Sequence, residues 1–165
     1  MFNKFEPGAA SSSRYSRVPS KMVDFIRQNP DGFTLEVDGE TVPQKGFVLA
    51  PVKQTEIILN SEDINESTAD RLYEVIDALS LAQGEKAIAG GWLKGGQYWL
   101  DASKVYDNYE DAVYTAEAGD QRGFFYLGEL NVIDTQEAVR QLKESGVYDD
   151  RRFDDARRAG ERLAQ

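Results

Sequence analysis

The side chains of this 165-residue chain that could run acid–base or metal chemistry are almost all carboxylates: there are 29 Asp and Glu, no histidine and no cysteine. Histidine is the usual base near neutral pH, the partner in most serine and cysteine triads and the commonest metal ligand, so those enzyme classes are largely closed. The lack of cysteine removes disulfides, thiolate nucleophiles and Cys-ligated zinc together. Paired-carboxylate chemistry stays open, as in glycoside hydrolysis or a magnesium site, with Asp101, Asp107 and Glu129 as candidate members. In a chain this acidic, carboxylates meet by chance, and an acid-rich surface is the simpler account. The run Asp101-Ala-Ser103-Lys104 suggests a serine with a lysine base, but that chemistry needs a strained nucleophile turn or a buried lysine; a strand end closed by Asp or Ser is simpler. No Gly-x4-Gly-Lys-Ser/Thr occurs, and Gly90-Gly91 and Gly95-Gly96 do not open a helix, so the glycines do not form a phosphate loop. The sequence therefore offers no catalytic residue, no metal site and no cofactor, and it points away from an enzyme.

A second constellation has the chemistry of a contact surface. Residues 90–101 hold both tryptophans of the chain and four of its 14 glycines. Gly95-Gly96 suits the two positive-φ positions of a type I′ turn between aromatic and aliphatic flanks, which predicts a β-hairpin. Pairing outward sets Lys94 opposite Gln97, Leu93 opposite Tyr98 and Trp92 opposite Trp99. One face then carries Trp92, Lys94, Gln97 and Trp99, and the other Leu93, Tyr98 and Leu100. The second face should be core. The first, a tryptophan pair beside a cation and an amide, has the composition of a protein-binding hot spot, and it is the face expected to be exposed. Packing is the competing use, since nine aromatics lie between Trp92 and Tyr126 and most must fill the core.

The elements that would position this hairpin can be taken in order. Residues 1–20, serine-rich with Gly8 and Pro19, bury too little apolar surface to fold alone and read as a flexible arm. A short helix follows to about Gln28, with Ser20 as its cap and Asn29-Pro30 as its stop. Phe33 to Val42, broken by Asp38-Gly39, predicts another type I′ hairpin with Phe33, Leu35, Val37 and Val42 inward. Gly46–Ala50 and Thr55–Leu59 read as strands parted by Pro51. Leu72, Val75, Ile76 and Leu79 make an apolar stripe at helical spacing, predicting a helix over 66–82 capped by Asn65 or Ser67 and ending at Gly84. Beyond the central hairpin, Asn108 caps a helix to Ala118 with Gly119 as its left-handed end, Gly123–Leu130 reads as a strand, and Asp134 opens a helix over 135–145 stopped by Gly146. Asp149 to Gln165 alternates acidic and basic pairs around the sparse anchors Phe153, Ala156 and Leu163, which predicts a solvated, loosely docked terminal helix.

The fold class is accordingly α+β: a mainly antiparallel sheet of hairpins with three helices packed on one face, forming a single domain over 21–148 between the arm and the charged helix. The net charge of −10 divides unevenly. Lys4, Arg14, Arg17 and Lys21 against Glu6 give the first 21 residues +3, leaving −13 for the rest, with 15 basic residues against 28 acidic. Such a body repels nucleic acid, unless the basic arm binds it alone, and favours a protein partner with a basic surface. No apolar run approaches the length of a membrane span or a signal peptide, so a cytoplasmic location is expected.

The segments Gly46-Phe-Val-Leu-Ala-Pro51, Gly91-Trp92, Tyr98-x-Leu100-Asp101-x-Ser103, and Gln121 before Phe125-x-Leu127 resemble a pattern found in small uncharacterised bacteriophage proteins, over roughly residues 46–133. That resemblance implies a context and no activity: a phage or prophage accessory protein acting on a host or defence protein in the bacterial cytoplasm, or a component carried in the virion. The leading expectation is a non-enzymatic protein-binding protein, with an assembly component and a carboxylate hydrolase as alternatives.

Overall fold

A computed structural model describes residues 18–52 and 56–164; all but the last three residues of the expected arm lie outside them. The chain is α+β: among the described residues five helices lie on one side of a curled antiparallel sheet of order β1-β4-β5-β2-β6-β7. The organising strand is β5, Gln97–Tyr106. One of its edges pairs with β4, Ile88–Lys94; the other takes β3, Ile57–Leu59, near its start and β2, Phe47–Leu49, at its end. β1, Gly32–Leu35, extends the sheet beyond β4, and β6, Gly123–Tyr126, followed by β7, Asn131–Asp134, extends it beyond β2.

Two helix-covered cores result. In the first, α1 (Pro19–Gln28) and α2 (Glu66–Gln83) lay Met22, Ile26, Leu72, Tyr73 and Ile76 over Leu35, Tyr98, Leu100 and Ala102. α2 forms where its stripe predicts, and its ends are chemically fixed. Asn65 and Thr68 satisfy each other's backbone N–H groups in a capping box, and Gly84 closes the helix at φ 70°. In the second core, α3 (Tyr109–Ala118) and α4 (Thr135–Glu144) bury Val113, Tyr114, Ala138 and Leu142 against Leu49 and Phe124. Asn108 and Asp134 cap these two helices by accepting from the N–H of Asp111 and Glu137.

α5 (Asp150–Leu163) is docked more firmly than its sequence suggests, although none of its residues is fully buried. Phe153 and Ala156 pack on the second core and Leu163 on the first, so the helix spans both. Arg152 pairs with Glu110 and, at 2.6 Å, with Asp111, while its guanidinium lies 5.0 Å from the Tyr114 ring. The Tyr114 hydroxyl accepts from the Asp149 N–H at 2.8 Å, fixing the start of the helix.

Several local expectations are corrected. Ser20 is not a cap: α1 starts at Pro19, whose fixed φ suits the first helical position, with Val18 before it and no side-chain cap. The 33–42 segment is not a hairpin. The Asp38 carboxylate accepts from the Glu40 and Thr41 N–H groups, so the returning chain makes a side-chain-closed turn, and β1 pairs with β4 instead. Leu35 is buried as expected, Phe33 and Val37 pack at the core margin, and Val42 is exposed. Gly119 is not left-handed (φ −88°); Asp120 takes that conformation at φ 54°. The strand foreseen over 123–130 stops at Tyr126, and a second strand, β7, returns beside it.

Candidate functional site

The hairpin at 88–106 has the register its sequence dictates: Lys94 opposite Gln97, Leu93 opposite Tyr98 and Trp92 opposite Trp99. Gly95 and Gly96 take φ 59° and 79°, the two left-handed positions that make this turn accessible to glycine. The glycines at the other end of β4 work differently. A methyl on Gly91 would come within 2.3 Å of the Phe33 ring and 2.9 Å of Leu100, and one on Gly90 within 2.7 Å of the Ser103 hydroxyl. Bare backbone at 90 and 91 thus lets side chains close over both faces of the strand.

On the helix-covered face Tyr98 and Leu100 are fully buried. The Tyr98 ring stacks on Phe33 at 6.4 Å and its hydroxyl donates to the Asn29 carbonyl at 2.8 Å; burial pushes its pKa up to about 12. Leu93 lies on the same side but is 43 % exposed, which corrects its assignment to the core. β1 reaches only to Trp92, and the turn before it meets the hairpin through Leu93 N–H to Asp31 carbonyl at 3.1 Å, so the tip projects past the helices.

The helix-free face carries the proposed contact residues. Trp92 is 45 % exposed, Trp99 half-buried, and Lys94 and Gln97 exposed. The Lys94 ammonium lies 5.3 Å from the Trp92 ring centroid and 5.0 Å from that of Trp99, within cation–π range of both. The Trp99 indole N–H donates to the Lys94 carbonyl at 3.3 Å, tying the second ring to the turn. Ile58 of β3, directly opposite Trp99, is 45 % exposed and completes an apolar patch. Its part was hidden in the sequence because Ile57-Ile58-Leu59 is a uniform apolar run that does not say which residue faces out.

Deeper along this face the environment changes. The Ser103 hydroxyl donates to Asp101 Oδ1 at 2.6 Å. Burial raises the Asp101 carboxyl to about 6; the Ser103 bond opposes that shift and the charge of Glu56 adds to it. Further on, Val48, Ile88 and Leu127 form a small buried cluster with Val105 and Phe125.

The alternative chemistries do not assemble. Asp107 lies six residues beyond Asp101, about 20 Å along an extended chain, past the end of β5, and Glu129 is exposed in the turn between β6 and β7. Ser103 and Lys104 diverge: Lys104 lies on the opposite face, paired with Glu85 at 2.7 Å and 4.9 Å from the Tyr106 ring. Among the described residues no group of three or more Asp or Glu could hold a metal ion, and no helix is long and apolar enough to cross a membrane. An open cleft of about 710 Å³ separates α5 from the ends of α2 and α3. Of the charged residues that line it, Lys104 pairs with Glu85, and Arg157 with Asp154 and Glu161. Comparisons with protein-family models, with curated proteins and with solved structures found no match to this chain.

Proposed function

We propose that the chain is a non-enzymatic protein-binding protein that docks a basic partner through the helix-free face of its central hairpin, with Trp92, Lys94, Gln97 and Trp99 as the contact residues and Ile58 beside them. The observation that carries this reading is the exposure of Trp92 beside Trp99 and Ile58 on a projecting, rigidly turned hairpin. Large rigid aromatics confer binding energy with little loss of side-chain freedom, and the two strands hold both rings in fixed register. The charge of −13 outside the first 21 residues favours a partner rich in Lys and Arg and would steer its approach. The resemblance to small bacteriophage proteins supports a bacterial host or defence protein as that partner.

The test is a Trp92→Ala, Trp99→Ala double variant assayed for partner affinity, with circular dichroism as the folding control. Interface hot spots cost about 2 kcal/mol or more each on truncation, so a loss of at least about 30-fold is expected. A folded double variant with full affinity would remove the proposed contact.

A further inference from the structure

Lys94 stands over two rings at once, where Lys104 and Lys143 each lie on one, Tyr106 and Tyr148. Lys21, Lys86 and Lys104 each reach a carboxylate, Glu40, Glu36 and Glu85, at 2.5 to 2.7 Å. Lys94 is paired with no carboxylate among the described residues; its ammonium rests on two indole rings. Two rings that converge on one cation are the recognition element for a cationic side chain, and here the chain supplies that cation itself.

Resting on the contact role proposed for the hairpin, we propose that the Trp92 and Trp99 rings are a receptor for an arginine side chain of the partner, and that Lys94 occupies it internally in the unbound protein. An ammonium on exposed rings gives up little hydration and is easily displaced. A guanidinium is planar, more weakly hydrated and stacks flat on an aromatic face, so it is the better occupant. The surroundings fit such a guest. Ile58, opposite Trp99, offers exposed apolar surface for an aliphatic stem. Glu56, the residue before β3, falls on the face of the rings by strand alternation, so incoming positive charge meets a carboxylate there. Displaced from the rings, Lys94 is left on a flexible stem at the hairpin tip, free to reach a carboxylate of the partner.

Because the chain's only tryptophans are these two, tryptophan fluorescence, excited to the red of tyrosine absorption, reports this site alone. The probe is a short arginine–glycine peptide, with the same peptide carrying citrulline, a neutral isostere, as control. Removing the internal occupant in Lys94→Met should tighten arginine-peptide binding about tenfold relative to the unmodified protein. Lys86→Met removes the same charge elsewhere and should change it less than about twofold. The citrulline peptide should bind none of them measurably. The proposal is overturned if Lys94→Met binds no more tightly than Lys86→Met, if citrulline serves as well as arginine, or if no variant binds. Lys94→Gln, which is shorter and polar, repeats the measurement should the methionine disturb the tip. Loss of partner affinity in the double tryptophan variant combined with unchanged peptide affinity in Lys94→Met would overturn the internal-occupant inference alone. Full partner affinity in the double variant would overturn the docking role as well.

Discussion

The two faces of the β4–β5 hairpin carry similar amounts of aromatic and aliphatic surface and meet different fates. Tyr98 and Leu100 are 1 % and 0 % exposed beneath α1 and α2, whereas Trp92, opposite Trp99 on the other face, is 45 % exposed. The strands are the same, so the difference lies in what the rest of the chain places against them. Helices cover one side of the sheet, and at this end of the other side Lys94 alone among the described residues lies over the rings. Apolar surface close to the folding core stabilises the fold; apolar surface left open on a rigid hairpin is available to something else. If that division is right, substitutions on the two faces should separate stability from binding.

The largest effect should come from Leu100→Ala. Leu100 is fully buried in the first core, and emptying such a site costs about 2 to 5 kcal/mol through lost transfer energy and the residual cavity. Urea unfolding should show a lower midpoint with little change in slope. A cost below about 1 kcal/mol would mean that the helix-covered face is not the one that holds the hairpin.

Asp101 tests whether the open face is uniform. Its carboxyl is raised from 3.8 to about 6, so the folded chain holds this proton more tightly than the unfolded chain does. Stability from this group is therefore fully present below about pH 4 and declines as pH rises through 6, by about 3 kcal/mol in all. Asp101→Asn should abolish that decline, leaving a flatter stability profile from pH 4 to 6. An unchanged profile would make Asp101 as solvated as the tryptophans near it and extend the open surface along β5.

Gly91→Ala addresses the covered face from the backbone side. The added methyl would meet Phe33 at 2.3 Å and both Leu100 and Tyr98 at 2.9 Å, so these side chains must shift, at a cost of about 1 to 3 kcal/mol. Thermal unfolding reads this directly, and an unchanged midpoint would show that Phe33 and Tyr98 pack loosely.

How much of this was written in the sequence depends on the range of the interaction concerned. The hairpin register, the capping of α2, α3 and α4 and the stripe on α2 follow from chemistry within a few residues, and they appear where the sequence puts them. The 33–42 segment misleads because Asp38 satisfies the return strand's N–H groups locally, while β1 finds its partner about sixty residues away in β4. Leu93 misleads for a related reason: alternation gives the face of a strand but not where the covering helices stop. Trp92, Lys94, Gln97 and Trp99 were legible as a shared face. The exposure of that face depends on the placement of α1, α2 and β3, which no local pattern encodes, whereas the resting of Lys94 on both rings follows from the same register, two residues from Trp92 and diagonal to Trp99.

The smallest stability effect, and the sharpest use of the comparison, belongs to Trp92→Ala. Trp92 is nearly half exposed, and its ring contacts a cation at the surface, where such contacts are worth about 0.5 to 1 kcal/mol. Truncating a residue of this size in a core would cost about 3 to 5 kcal/mol. On the open face the loss should be about 1 to 2 kcal/mol, from the cation contact and the covered part of the ring, measured by urea unfolding with Trp99 left as the single tryptophan to follow the transition. A loss of core magnitude would show that the ring is held by more than the surface, and the hairpin would then be scaffold on both faces. A small loss would leave its apolar area without a structural use, which is the condition a contact residue has to meet.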